Sequence, residues 1–352
     1  MQHFRFSILV TVVLMALAGW WGYHQGGAAG LAQAGWITAV LGVMEVSLSF
    51  DNAVVNATVL RHWNPFWRTL FLTAGIVVAV FGMRLLFPLL VVALATGLGL
   101  VEVWHMATAT PELYAQHLGS AHAQVAAFGG AFLLLVFLNF LFDEQKELHW
   151  LGWIEKKLGQ HGTDSLAVLL ALAAVFGCVA LVGADEQFKV QTAGVLGVVV
   201  YLAVGWLSTL LEEDEPDDED DTTEAGVAPV VAAVARGSLG GFLYLEVLDA
   251  SFSFDGVIGA FAITSDVVVI MLGLAIGAMF VRSLTVFLVH KGTLDEYVYL
   301  EHGAHYAIGV LALIMLASVK YHVPEWLTGL SGVAFIGLSL WSSLRHKRRH
   351  AA

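Results

Sequence analysis

The chain contains one cysteine, Cys178, set in an apolar run. A lone thiol excludes a disulfide framework and any thiolate metal cluster, and leaves hard oxygen ligands as the available metal chemistry. Charge is scarce too: 13% of the 352 residues are Asp, Glu, Lys or Arg, against 58% hydrophobic. With a mean hydropathy of +0.78, that balance excludes a single soluble domain and gives many windows long enough to cross a bilayer. No nucleotide-binding loop is visible, so transport would draw on an ion gradient rather than on ATP. Basic residues are few, 16 Lys and Arg against 29 Asp and Glu, and nucleic acid is not an expected partner.

The net charge of −13 is concentrated in one place. Residues Glu212 to Glu224 hold ten carboxylates and no Lys or Arg, the composition of a solvated connector. It divides the chain into an N-terminal transmembrane half (1–211), an acidic cytoplasmic linker (212–228) and a C-terminal transmembrane half (229–352) with a basic tail.

The predicted fold class is all-α: a polytopic transmembrane helical bundle of about ten spans with an inverted internal repeat. Hydropathy places spans at 6–21, 35–60, 67–90, 125–142 and 166–182, then at 190–211, 227–263, 267–289, 306–320 and 326–344. The first could instead be a cleaved signal peptide, given Arg5 and the Ala16-Leu17-Ala18 stretch. Retention is the favoured reading because Trp20 and Trp21 suit an interfacial belt. Arg61, Arg68, Lys146, Lys156, Lys157, Lys291 and the tail Arg345 to Arg349 fall on one side, which makes that side, and both termini, cytoplasmic. The expected location is the cytoplasmic membrane. The 36 glycines read as close helix packing.

The repeat carries the chemistry. Glu45-Val-Ser-Leu-Ser-Phe-Asp51-Asn52 returns as Asp249-Ala-Ser-Phe-Ser-Phe-Asp255-Gly256, 204 residues later, with Ser47, Ser49 and Phe50 matched by Ser251, Ser253 and Phe254. Downstream, Gly75 and Arg84 match Gly273 and Arg282 at an offset of 198. The motifs fall on the second and seventh spans, five crossings apart, so the copies should thread the membrane in opposite directions and meet near its midplane.

A carboxylate at mid-membrane costs about 2.5–3.5 kcal/mol on insertion scales, so these acids need partners or cargo. The reading is a hard-cation site in which Asp51 and Asp255 meet with Asn52 and some of Glu45, Asp249 and Glu246. Ser47, Ser49, Ser251 and Ser253 would support it, and Arg84 and Arg282 would be counter-charges that hold the empty site together and release the acids when metal arrives. Glu45 and Asp51 are six apart, about 120° around a helix, so a local break is expected near Asn52 and Gly256. A span over 35–60 would run about 39 Å against about 30 Å of hydrocarbon, leaving room for an unwound turn. The blander reading is that the acids merely pair with the arginines to lock helices together.

The Ser-Phe-Asp51-Asn52 segment after an acid, the helix from Gly75-Ile76 to Arg84, the acid-rich motif Asp249 to Asp255 and Val281-Arg282-Ser283 together resemble the TerC family of integral membrane proteins. The likeness covers the second to fourth and seventh to ninth spans, and the long middle region and Gly256 mark a divergent branch. The resemblance implies export of metal ions, manganese first, metalation of exported proteins or tellurium-ion resistance. It implies that Asp51, Asn52 and Asp255, with Glu45 and Asp249, bind the transported metal. Mn²⁺ is the favoured cargo, with Ca²⁺ or Mg²⁺ as alternatives; no permanent cofactor is expected. Partners beyond the bilayer and the cation would be a second copy or a metalation partner.

Three other functions are weighed. Two aspartates on separate spans could form an intramembrane aspartyl hydrolase dyad, which the absence of a Gly-x-Gly-Asp motif disfavours. The others are a non-transporting scaffold of a resistance or metalation complex and an amino-acid exporter. His302 and His305, beside Glu301, read as interfacial or packed rather than as ligands, and 143–157 as an interfacial helix.

Overall fold

The computed structural model describes residues 4–143, 146, 148–212, 237–290, 297–321 and 323–350, with the side chains of 76, 208–212, 254, 255, 290, 325, 326 and 350 left out. The linker residues from 213 onward and Lys291 lie outside the described residues. Helices run Arg5–Leu48 (α1), Phe50–Leu60 (α2), Pro65–Val77 (α3) and, after a π-helical stretch at Val78–Leu86, Phe87–Thr96 (α4). Next come Leu100–Ala109 (α5), Pro111–Ser120 (α6), His122–Phe142 (α7), Trp153–His161 (α8), Asp164–Val179 (α9) and Ala184–Glu212 (α10). The chain closes with Leu239–Ile263 (α11), Val267–His290 (α12), Leu300–Ser318 (α13) and Glu325–His350 (α14). No strand occurs among the described residues.

α1 is two arms. Its helix reverses at Gly26 and Gly27, where Gly27 has φ 61° and ψ −145°, a conformation that a Cβ disfavours. The arms then touch: a Cβ on Gly22 would overlap the Gly30 carbonyl. Both lie against α12. In the first arm, Ser7 Oγ donates to Met279 O (2.7 Å) and Trp21 Nε1 donates to Asp266 Oδ2 (2.8 Å), so this arm runs antiparallel to α12.

Each of the ten expected spans falls mainly on helix where residues are described. Among the described residues, seven helices are long and apolar enough to cross a membrane, or eight if α8 and α9, bent by 101°, form one broken span. α1 holds two expected spans in one folded run. α11 has 25 residues but its sequence carries Glu246, Asp249 and Asp255, so it is too charged to qualify alone; Glu246 and Asp249 are buried in the bundle instead of facing lipid. α5 and α6, ten residues each, are separated by Thr110 alone and are too short to span at 1.5 Å per residue.

α7 forms the centre of the larger core. Ala126, Ala127 and Ala131 are fully buried, and Gly130 and Gly129 lie against Leu316 and Met315 of α13. Across α7, Phe128 O approaches Gly197 of α10. Such small-residue contacts let backbones close up where lipid supplies no hydrophobic drive between helices.

Candidate functional site

The two motif helices are seated in matching ways. α1's second arm and α2 run along α12: Gly42 meets Gly273 and Ile276, the stem of Glu45 packs on Gly277, and Thr285 Oγ1 donates to Ala53 O (3.4 Å). α11 runs along α3: Phe242 packs edge-on to Phe71 with ring centroids 5.8 Å apart, and Glu246 Oε1 lies against Gly75. Residue numbers rise together along both pairs, so each pair is parallel.

Between them sits Arg84, 5% exposed and contributed by the π-helical stretch. Its Nη2 donates to Glu45 Oε1, its Nη1 donates to Ala79 O (2.5 Å), and Nη1 is 3.8 Å from Asp249 Oδ2. Ser49 Oγ donates to the same Glu45 oxygen (3.0 Å). Asn52 Nδ2 donates to Asp249 Oδ1 (2.5 Å). A chain Ser49–Glu45–Arg84–Asp249–Asn52 therefore crosses from one motif to the other, with Glu45 and Asn52 each 1% exposed. A π-helical segment at the charged residue is a common mark of a functional position.

The contacts come in exchanged pairs. Asn52 meets Asp249, and Gly256 meets Glu45; the 204-residue offset converts one pair into the other. Gly42 against Gly273 is likewise matched by Glu246 against Gly75. The exchange also identifies the asymmetry. Where Asn52 donates to Asp249 Oδ1, Gly256 has no side chain to offer; Glu45 Oε2 and Asp249 Oδ2 are both buried without a hydrogen-bond partner.

The other expected site residues are dispersed. Asp51 is buried but faces α14, where a Cβ on Gly332 would lie 3.1 Å from its Oδ2, and its Oδ1 accepts from Asn52 N (3.0 Å). The Asp255 side chain lies outside the described residues. Ser47 is exposed and donates to Val43 O (2.9 Å). Ser251 donates to Val247 O (2.9 Å), and Ser253 Oγ is buried without a partner. Arg282 Nη2 donates to Leu72 O, with no acid partner among the described residues. Among the described residues, no three His, Cys, Asp or Glu side chains gather closely enough to hold a metal ion. The helix break falls at Ser49 (φ −103°, ψ 17°) instead of near Asn52, and α11 continues through Gly256.

Glu246 is the outlier. It is 5% exposed, and neither carboxylate oxygen has a hydrogen-bond partner. It borders a cavity of about 50 Å³ shared with Arg84, Asp249, Arg282, Asn56 and Thr285, enough for an ion or a few waters.

A second polar cluster, missed in the sequence, centres on Glu155 of α8, which is fully buried. It accepts from Trp150 N and Leu151 N (both 3.1 Å) and from Tyr306 OH (2.8 Å), with His302 Nε2 3.6 Å away. His302 Nε2 itself lies 2.9 Å from Leu148 O, and His305 stacks on Phe140 with ring centroids 3.9 Å apart. Both histidines are engaged in packing. Lys146, close by over the Phe140 ring, has its ammonium pKa pushed down by burial, against the pull of Glu155, Asp143 and Glu301. Glu155, one of several acids mixed with lysines over 143–157, gave no signal of this role, because its partners come from 5 and 151 residues away.

The family profile described as Protein of unknown function (DUF475) matches residues 50–350. No curated protein and no solved structure matches the chain. The chain belongs to that DUF475 family, and its matched region takes in both motif helices from Phe50 onward.

Proposed function

We propose that this DUF475 protein is a membrane transporter or exporter of divalent metal cations, Mn²⁺ first and Ca²⁺ or Mg²⁺ next, whose cargo binds where the two motifs meet. One observation carries the reading: a buried guanidinium is held jointly by Glu45 of the first motif and Asp249 of the second. A place built from both copies to neutralise a positive charge inside apolar helices is a cation site by its electrostatics. With Arg84 present, the arrangement is the cargo-free form; Glu45, Asp249 and the Oδ1 of Asn52 are the oxygens a hard cation would take over.

The exchanged contacts support an inverted repeat. α2 and α3 are joined by the short turn at 61–64, and α3 is parallel to α11, so the first motif helix and α11 run oppositely. Midplane sites between oppositely threaded halves are the usual arrangement in secondary transporters. The likeness to TerC proteins, in this reading, extends to manganese efflux or tellurium-ion resistance from the cytoplasmic membrane, with both termini inside.

The test is uptake of radiolabelled Mn²⁺ into inverted vesicles holding only this protein. Wild type should accumulate the ion, and Glu45→Gln and Asp249→Asn should lose at least tenfold while remaining inserted. Uptake undiminished in both variants would reject the site. Wild-type vesicles that take up nothing would leave a scaffold role, and peptide cleavage in detergent would favour the hydrolase; competition by amino acids would favour the amino-acid exporter.

A further inference from the structure

We infer that Arg84 is an exchangeable occupant of the cation site, and that Glu246 is the carboxylate it moves to when a divalent cation takes Glu45 and Asp249. The inference rests on the transport reading and assigns Glu246 a different job from ligand. A buried carboxylate with two unpartnered oxygens is costly to keep, so its persistence calls for a partner that arrives in another state. Glu246 and Arg84 line one cavity, which gives the guanidinium space to turn toward it.

Arg84 is also incompletely held. Its Nε is buried without a hydrogen-bond partner, and its approach to Asp249 is 3.8 Å, longer than a good charge-assisted bond. It stands in a nine-residue π-helical stretch. Slipping one residue of that stretch into α register would turn the side chain by about 100°. Charge balance points the same way. A divalent cation neutralises Glu45 and Asp249 together, and among the described residues lining the cavity Glu246 is then the remaining carboxylate for the guanidinium.

The exchange makes Glu246 act only through Arg84, and a double-mutant cycle detects this. Mn²⁺ binding to the purified full-length protein in detergent is read from loss of the electron paramagnetic resonance signal of free aqueous Mn²⁺. Glu246→Gln should weaken binding at least tenfold, because the displaced guanidinium has no destination. Arg84→Gln should bind more tightly than wild type, and adding Glu246→Gln to it should change nothing. An equal loss in both backgrounds would make Glu246 a direct ligand and overturn the exchange; so would wild-type affinity in Glu246→Gln. If Arg84→Gln does not fold, Arg84→Lys keeps a cation in place, and there Glu246→Gln should still weaken binding; equal affinities would overturn the proposal. Absence of Mn²⁺ binding in wild type would remove the transport reading itself, a distinct result.

Discussion

Glu45 shows how one residue can be over-determined from several sides. Its stem rests on Gly277, one oxygen on Gly256, the other on Arg84 and Ser49. Removing one partner of a buried ion pair costs about 3–5 kcal/mol, because the other charge is stranded, whereas replacing both by apolar residues of similar size is often neutral. Glu45→Ala should therefore lower unfolding stability in detergent by about that amount, and Glu45→Met combined with Arg84→Met and Asp249→Asn, which leaves neither acid stranded, should recover most of it while abolishing cation binding. Gly256→Ala offers a second check. Alanine normally gains up to about 1 kcal/mol over glycine inside a helix, but here the methyl would sit 2.8 Å from Glu45 Oε2, and such overpacking costs about 1–3 kcal/mol. A lower melting temperature is expected; a higher one would mean that the carboxylate is free to move aside.

At the scale of elements, the attachment of α8 is sensitive to pH through Lys146. Its Glu155 ties the 150–155 turn to α13, with Lys146 alongside. Burial lowers the Lys146 pKa, so the unfolded chain binds more protons than the folded one between that lowered value and the ordinary Lys range near 10.4. Stability of this region should thus rise as pH climbs through that window and level off above it. Amide hydrogen exchange at 148–161, corrected for intrinsic rates, should show growing protection toward alkaline pH, and Lys146→Gln should flatten the trend. Element identity was largely legible beforehand: the ten apolar segments coincide with helix, because span length and hydropathy are local properties. The reversal at Gly26 and Gly27 was not, since an apolar stretch on either side reads the same whether the chain continues or turns back. Nor was the π-helical register at Val78–Leu86, which depends on what Arg84 reaches. The site was half legible. Glu45, Asn52, Asp249 and Arg84 were identified and do meet; Asp51 was expected at their centre, yet its rotation around α2 carries it to Gly332, a direction no repeat pattern encodes.

For the whole molecule, the decisive feature is that both motif helices are clasped by glycine-lined neighbours and that the N-terminal arm braces one of those neighbours from outside. Ser7 Oγ and Ser283 Oγ are 2.6 Å apart. With Cys178, the chain's lone cysteine, replaced by alanine, Ser7→Cys and Ser283→Cys should form a disulfide readily on mild oxidation, since side chains this close match the bond's short reach. A gel shift after cleavage between the two positions would register it. No cross-link would mean that the arm is absent from the mature protein or docks elsewhere.

α14 extends these internal arrangements to the membrane surface. At 26 residues it measures about 39 Å, longer than about 30 Å of acyl chain, and its far end carries Arg345, Lys347, Arg348 and Arg349 as a rigid continuation of the rod. Anionic headgroups grip such a cluster and thereby set how deep the rod rides. Because Gly332 lies on the same rod, beside Asp51, a change in headgroup charge around the basic end is expected to bear mechanically on an acid buried about 20 Å away along the axis.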